Sequence, residues 1–152
     1  MAAFVGSPTS ATVPPRAHPD HPEWRFLPFH YVHAAGPGTG EINLCTIPPG
    51  DWIFPAGESH FQVSQFAAGA TLDIGTRAHL DKRHGAMVED ADRMMAAMDV
   101  ASGAFDDVGP PTDEIAHLAT AATAFATVAN GNIEDGDTIE GWFTYAPYVE
   151  GD

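Results

Sequence analysis

Residues 129–149 constrain the fold more than any other stretch, because they combine turn signals with one long alternating segment. Asn130-Gly131 and Asp135-Gly136 tolerate the positive φ angles that tight hairpin turns require. From residue 138 onward the side chains alternate between two faces, as they do in a strand. One face holds Ile139, Gly141, Phe143 and Tyr145, and the other holds Thr138, Glu140, Trp142 and Thr144. The stretch therefore predicts a turn, a second turn and a closing sheet strand.

Shorter strands are predicted along most of the chain after residue 24. Aromatic or alternating segments occur at 24–32, 42–47, 52–54, 61–65 and 70–75, separated by turns rich in glycine and proline. A spacing of about 8–12 residues between turn signals is typical of all-β sandwiches and barrels. The chain's 15 glycines and 13 prolines also favour short strands over long helices. We therefore expect an all-β fold, a β-sandwich formed by one domain over residues 24–152.

Two segments carry a helical signal. Residues 89–100 open with acidic residues and place methionines at spacings that share a helix face, which predicts one short helix. Residues 118–129 are rich in alanine, which favours helix, but Thr123, Phe125 and Thr127 alternate as in a strand. We predict a strand there, because its threonines are β-branched and a hairpin turn follows.

Residues 1–23 are predicted to form an extended, proline-rich arm. The arm contains five prolines and almost no apolar periodicity, so it cannot bury its own surface. Phe4 and Val5 are the exceptions. Either these two side chains anchor the arm in a groove of a neighbouring protein, or the segment is a frayed terminus.

Charge limits the partners of this chain. Six Lys and Arg residues stand against 21 Asp and Glu residues, for a formal net charge of −15. Such a surface repels phosphate backbones and anionic lipids, which argues against nucleic acid and membrane as partners. The single cysteine, Cys45, lies in a predicted strand and is interpreted as a small core residue.

The sequence predicts no catalytic residue, no cofactor and no metal site. Of the eight histidines, His30 and His33 are three apart, which places them on opposite faces of a strand. Residues 57–61 (Gly-Glu-Ser-His-Phe) are similar to half of the metal motif of cupin enzymes, and only His117 is available as a downstream partner. A metal-dependent, cupin-like β-barrel enzyme therefore stays an alternative.

Eight residues are predicted to form protein interfaces. Large apolar side chains dominate binding hot spots, and basic side chains stand out on so acidic a chain. The candidates are Phe4, Val5, Trp24, Trp52, Arg77, Lys82, Arg83 and Trp142. The three basic residues either dock on an acidic surface of a partner or simply face solvent. Trp142 is either an exposed anchor or buried by a second sheet.

Three passages, taken in order, resemble small virion proteins of tailed bacteriophages. They are residues 44–50 (Leu-Cys-Thr-Ile-Pro-Pro-Gly), residues 70–75 (Ala-Thr-Leu-Asp-Ile-Gly), and residues 130–137 leading into the last strand. The resemblance covers roughly residues 40–149. It implies a jelly-roll-like sandwich used as a capsid decoration or cement protein, or as a related head or tail accessory component. Such proteins usually form homotrimers on the outer surface of the capsid, bound to the major capsid protein.

The sequence thus predicts a non-enzymatic virion protein that stabilises the outer shell of a tailed-phage head. A second reading is a glycan-binding or receptor-binding β-sandwich of a phage fibre or tail. That reading needs an exposed aromatic ring beside carboxylates, as Trp52 with Asp51 and Glu58 would provide.

Overall fold

The structure is a computed structural model that describes residues 16–17, 24–55, 57–100, 104–107 and 115–148. Every regular element within these ranges is a β-strand, and the strands form two antiparallel sheets of nine and four strands. The two sheets make a sandwich, so the predicted all-β, jelly-roll-like fold is confirmed. None of the described residues belongs to a helix that is long and apolar enough to cross a membrane.

The strands follow one another along the chain as thirteen short elements in the described ranges. They are β1 Arg16–Ala17, β2 Arg25–Val32, β3 Gly38–Ile47, β4 Gly50–Ile53, β5 His60–Val63, β6 Thr71–Thr76, β7 His79–Asp81, β8 Gly85–Met87, β9 Asp90–Asp99, β10 Ala104–Asp107, β11 Ile115–Leu118, β12 Ala122–Ile133 and β13 Thr138–Pro147.

Strand β13 connects the two halves of the larger sheet. On one side it pairs with β2 over most of its length, from Thr138 opposite Val32 to Tyr145 opposite Arg25. On the other side its first half pairs with β5 and its end pairs with β4. The sheet order is β1-β2-β13-β4-β11-β7-β8, with β5 and β10 branching from β13. The smaller sheet has the order β3-β12-β6-β9.

The core lies between the two sheets and follows the predicted alternation. Ile139, Phe143 and Tyr145 point inward from β13 and are 2% exposed or less. Phe29 and Phe61 face them from the neighbouring strands, and Ile42, Leu72 and Ile74 line the smaller sheet. Burial of apolar surface contributes about 25 cal/mol per Å2, so this continuous cluster is the main source of stability.

The predicted helix at residues 89–100 is wrong, because the segment forms strand β9. This strand pairs with β6, with Leu72 opposite Met98 and Ile74 opposite Met95. Its register shifts twice along the pairing, so methionines at a helix-like spacing all reach the core. Pairing with a distant strand therefore overrides the local helical pattern.

One of the two predicted turns is also wrong. Asn130 has a φ of 61°, but Asn130-Gly131 forms an irregularity inside β12, where the register shifts between Val128 and Ile133. A Cβ on Gly131 would lie 2.5 Å from the backbone nitrogen of Ala70, so the segment from 68 to 70 packs against this site. The second turn is confirmed, with Gly136 at a φ of 89°. The predicted strand before these turns is confirmed as β12.

Most of the predicted N-terminal arm lies outside the described residues, and this includes Phe4 and Val5. Arg16 and Ala17 are described. They pair with Phe26 and Arg25 at the free edge of β2. The arm and its boundary at residue 23 remain a prediction.

Candidate interaction surface

An aromatic row crosses the outer face of the larger sheet. Phe26 on β2, Trp142 on β13 and His60 on β5 lie side by side, with ring centroids 6.2 Å and 5.1 Å from that of Trp142. The row follows from the register, because Trp142 pairs directly with both Pro28 and His60. The indole N–H of Trp142 donates to the Glu58 carbonyl at 2.9 Å, which fixes the orientation of the ring.

A shallow cavity of about 310 Å3 opens beside Trp142. We call it the aromatic groove, and its lining consists of Pro28, Phe29, His30, Phe61, Gln62, Glu140, Gly141 and Trp142. Glycine is required at position 141, because a Cβ there would lie 2.1 Å from the His60 carbonyl oxygen. Strands β5 and β13 therefore approach each other closely beside the groove.

The aromatic groove has a polar rim on one side. His30 Nδ1 lies 3.0 Å from Glu140 Oε2, and both side chains are about half exposed. Gln62 is exposed beside them. The arrangement offers apolar contact on one wall and a carboxylate, an imidazole and an amide on the other. Such a surface suits binding of a partner with both apolar and polar groups.

A second exposed surface lies at the far end of the larger sheet. Strands β7 and β8 form a short hairpin, and residues 80–88 of this region are called the basic hairpin here. Lys82, Arg83 and His84 are exposed at its tip. Leu80 is 49% exposed and Val88 is 74% exposed, which is unusual for large apolar side chains.

The carboxylate of Asp81 shapes the tip of the basic hairpin. Asp81 is buried, and its Oδ1 accepts hydrogen bonds from the backbone N–H groups of Arg83 at 2.8 Å and His84 at 2.9 Å. Burial alone would raise the pKa of Asp81, but the backbone hydrogen bonds, from His84 first and then Arg83, hold it below its ordinary value. The tip is thus held in one conformation by an ionised side chain.

Asp51 lies beneath the same tip. Its carboxylate contacts His117 Nδ1 at 2.9 Å and Lys82 Nζ at 3.2 Å. The hydrogen bond from His117, followed by that from Lys82, lowers the pKa of Asp51. Among the described residues, Lys82 contacts Asp51, while its ammonium group offers three donors.

Arg77 occupies a different environment, on the outer face of the smaller sheet. Its Cζ lies 3.9 Å from the centroid of the Phe125 ring, which has no exposed surface. The guanidinium donates to Glu41 at 2.6 Å, to Glu89 at 3.1 Å and to the side-chain oxygen of Asn43 at 2.9 and 3.0 Å. Burial alone would lower the pKa of Arg77, but these hydrogen bonds with Glu41 and Glu89 raise it. We call this group the Arg77 cluster.

Comparison with known proteins supports the fold. No protein-family model matches the chain, and no curated protein matches it in sequence. One solved structure that it resembles is a chain of the capsid of Ralstonia phage GP4, with a TM-score of 0.63 and 20% identity. The match covers 96% of this chain and 93% of that chain. At this identity the likeness shows a shared fold.

A second solved structure belongs to the cyanophage Pam1 capsid asymmetric unit. Its TM-score is 0.42 at 17% identity, and the match covers 82% of each chain. A TM-score this low does not establish a shared fold, so only the first likeness bears on this chain.

The predicted interface residues are distributed over several parts of the molecule. Lys82 and Arg83 share one hairpin tip, whereas Arg77 is held by carboxylates on the other sheet. Trp52 is half-buried, donates to the Pro48 carbonyl at 2.8 Å and packs edge-on against Tyr145. Trp24 is half-buried at the start of β2. Their roles in an interface remain predictions.

The histidines that the structure describes do not converge on one point. Among the described residues there is no group of three or more His, Cys, Asp or Glu side chains placed to hold a metal ion. His30 is exposed and His33 is fully buried, as predicted from their odd spacing. His33 Nδ1 contacts the Tyr31 hydroxyl at 2.7 Å. His60 packs on Trp142, and His117 contacts Asp51. Cys45 is half-buried and packs against the core, and burial raises its pKa.

Sequence reasoning missed the Arg77 cluster. One signal was available, because Phe125 is the large apolar residue between Thr123 and Thr127 on the face that points away from the core. A phenylalanine in that position requires either a partner or a cover. The sequence does not reveal that Arg77 covers this ring, because Arg77 follows β6 and Phe125 lies in β12, far apart along the chain.

Proposed function

We propose that this chain is a non-enzymatic structural protein of a tailed-phage virion. More specifically, we propose a decoration or cement protein that binds the outer surface of the head as a homotrimer. Its partners would be the major capsid protein and other copies of itself. It would stabilise the shell by mass action, because a protein that binds only the assembled lattice lowers the free energy of that lattice.

The observation that carries this proposal is the fold likeness to a chain of the Ralstonia phage GP4 capsid. The likeness extends over 96% of this chain and 93% of that one, so the whole of each chain takes part. The sequence resemblance of residues 44–50, 70–75 and 130–137 to small phage virion proteins independently favours a virion structural protein.

Charge supports a position on the outer surface. The net charge of −15 opposes contact with packaged DNA, which a protein lining the inside of the shell has to tolerate. An outer position places the acidic surface toward solvent.

The test uses purified chain and phage heads that lack decoration proteins. We expect the chain to co-sediment with the heads at a fixed copy number and to raise the temperature at which the heads disrupt. Bovine serum albumin, added at the same concentration, controls for trapping in the pellet. Absence of binding to heads would reject the proposed virion role, whatever the mass of the chain in solution.

The arm prediction has its own test within this system. A chain that lacks residues 1–22 is expected to bind heads more weakly while its thermal unfolding stays close to that of the full chain. Of the described residues, Arg16 and Ala17 belong to that segment, and the truncation removes their pairing with β2 at one edge of the sheet. Unchanged binding to heads would show that the arm has no part in attachment.

The aromatic groove favours a second candidate, a glycan-binding or receptor-binding protein of a fibre or tail. Trp142 lies beside Glu140, His30 and Gln62, which is the combination of aromatic ring and polar groups that carbohydrate sites use. A glycan array probed with the wild-type chain and with Trp142→Ala tests it. Binding that Trp142→Ala abolishes would favour this candidate over a cement protein.

A further inference from the structure

We propose that the basic hairpin of one copy docks into the aromatic groove of the next copy. Leu80 and Val88 would cover the aromatic row, and Lys82 and Arg83 would bind the carboxylate of Glu140 and stack near Trp142. This proposal rests on the proposed self-association and identifies the basic hairpin and the aromatic groove as the two surfaces in contact. It is a head-to-tail contact, in which each copy contributes one hairpin and one groove.

The two surfaces are complementary in chemistry. The basic hairpin combines exposed apolar side chains with the cationic tip formed by Lys82 and Arg83. The aromatic groove combines a half-buried apolar wall, formed by Pro28 and Trp142, with the half-exposed Glu140. The Glu140 side chain is 48% exposed and makes its 3.0 Å contact with His30 through Oε2. A carboxylate has about four acceptor positions, so Glu140 can accept further bonds. A cation over the indole ring adds a favourable cation–π contact.

Charge restricts where a second copy can dock. Copies with a net charge of −15 repel one another in most orientations. Arg77 and Arg93 are mostly covered, with side chains 21% and 15% exposed, and both pair with carboxylates of their own chain. Lys82 also contacts a carboxylate of its own chain, that of Asp51, but its side chain is 51% exposed, and Arg83 is exposed beside it. The orientation that brings this tip onto an acidic side chain of the neighbour is therefore favoured over the others.

Topology requires that the contact be between molecules. The groove lies at β2, β13 and β5, whereas the hairpin is at the opposite end of the same sheet, beyond β4 and β11. Four steps between adjacent strands of about 4.8 Å separate β13 from β8, so a hairpin with three-residue strands cannot reach its own groove. A head-to-tail contact of this kind closes into a ring when the rotation between copies permits it.

The first experiment compares the native mass of three full-length proteins over a range of concentrations. K82Q/R83Q removes two positive charges from the tip, and Q65E/A68E changes the net charge by the same amount at exposed loop residues away from both surfaces. We expect K82Q/R83Q to raise the dissociation constant for self-association about tenfold or more, and the control to leave it within about threefold. Equal effects of the two variants would overturn the proposed contact.

The second experiment tests the head-to-tail arrangement by mixing. K82E/R83E keeps an intact groove, and Trp142→Ala keeps an intact hairpin, so each alone is expected to be monomeric. An equal mixture is expected to form a one-to-one dimer, since one hairpin and one groove remain intact. Circular dichroism and thermal unfolding confirm that both variants are folded. Two folded variants that stay monomeric in the mixture would overturn the contact.

The outcomes separate this contact from the proposed virion role. If K82E/R83E and Trp142→Ala self-associate as strongly as the wild-type chain, the contact is rejected. The proposed virion role is unaffected by that outcome. A wild-type chain that is monomeric at every concentration yet binds phage heads also rejects the contact. A chain that self-associates through the hairpin but binds no heads supports the contact and rejects the virion role.

Discussion

The outer face of each sheet carries a large aromatic ring, Phe125 on the smaller sheet and Trp142 on the larger one, and the two rings differ in exposure. Phe125 on the smaller sheet is fully buried beneath Arg77. Trp142 on the larger sheet is half-buried and borders an open groove. Strand alternation points both rings outward, so alternation alone does not determine exposure. The decisive difference is whether a side chain from another strand or loop covers the ring.

The cover over Phe125 is held by charges within the molecule. Arg77 reaches three side chains on two other segments, Glu41, Asn43 and Glu89. Beside Trp142, within the described part of the chain, His30 and Glu140 pair with each other at the rim of the groove. The comparison indicates that the smaller sheet closes its own outer face, and that the larger sheet leaves its outer face available to a partner.

The largest expected effect comes from removing the covered ring. Phe125→Ala should lower the free energy of unfolding by about 4 kcal/mol, because it deletes a buried ring and leaves a cavity under Arg77. Urea unfolding followed by circular dichroism measures the loss. A cost no larger than that of Trp142→Ala would contradict the distinction between a closed and an open face.

Removing the cover should cost less than removing the ring. Arg77→Ala exposes one face of Phe125 and breaks the hydrogen bonds to Glu41 and Asn43, with an expected loss of about 2 kcal/mol. Arg77→Lys keeps the charge but lacks the planar fork, so it should lie between wild type and Arg77→Ala. If lysine restored full stability, the planar geometry of the cover would be irrelevant.

Trp142→Ala should be the milder change for folding. The ring is half-buried and donates one hydrogen bond to the Glu58 carbonyl, so we expect a loss of about 1 kcal/mol in unfolding free energy. The same unfolding assay, run beside Phe125→Ala, makes the comparison direct. A loss of similar size at both positions would mean that Trp142 belongs to the core rather than to a surface.

The smallest effect concerns Asp92, an exposed acidic side chain that lies close to other carboxylates. A hydrogen bond with Asp90 and the charges of Asp90 and Asp73 raise the pKa of Asp92. Because the pKa is raised on folding, the native state binds the proton more tightly and loses stability as pH rises through that pKa. Asp92→Asn should therefore raise the melting temperature slightly at neutral pH and have less effect in acid. A lower melting temperature at neutral pH would contradict the repulsion.

Much of the fold could be predicted from local pattern. The alternation in β13 correctly separates Ile139, Phe143 and Tyr145 from Glu140, because the period of a strand depends only on backbone geometry. The second turn was also predictable, since Gly136 takes a φ of 89° that suits glycine. These features depend on residues that are close together in the sequence.

The errors came from contacts between distant segments. Residues 89–100 carry a helical spacing, yet pairing with β6 makes them a strand. Asn130-Gly131 has the composition of a hairpin turn, yet packing against the segment from 68 to 70 makes it an irregularity within β12. For the same reason the groove and the Arg77 cluster were not predicted as units, because each gathers side chains from several strands or loops. The individual residues Trp142 and Arg77 were named, but not their surroundings.

The position of β13 in the larger sheet has a consequence for biosynthesis. Its partners are far away in the chain, and His30 and Glu140, for example, are separated by 110 residues. Strands β2, β4 and β5 therefore emerge from the ribosome before β13, which pairs with all three. Until residue 147 has emerged, these strands lack that partner. Unpaired strand edges of this kind can pair with other chains and cause aggregation. The yield of folded protein should therefore depend on how quickly β13 is synthesised and on whether chaperones bind the exposed edges before then.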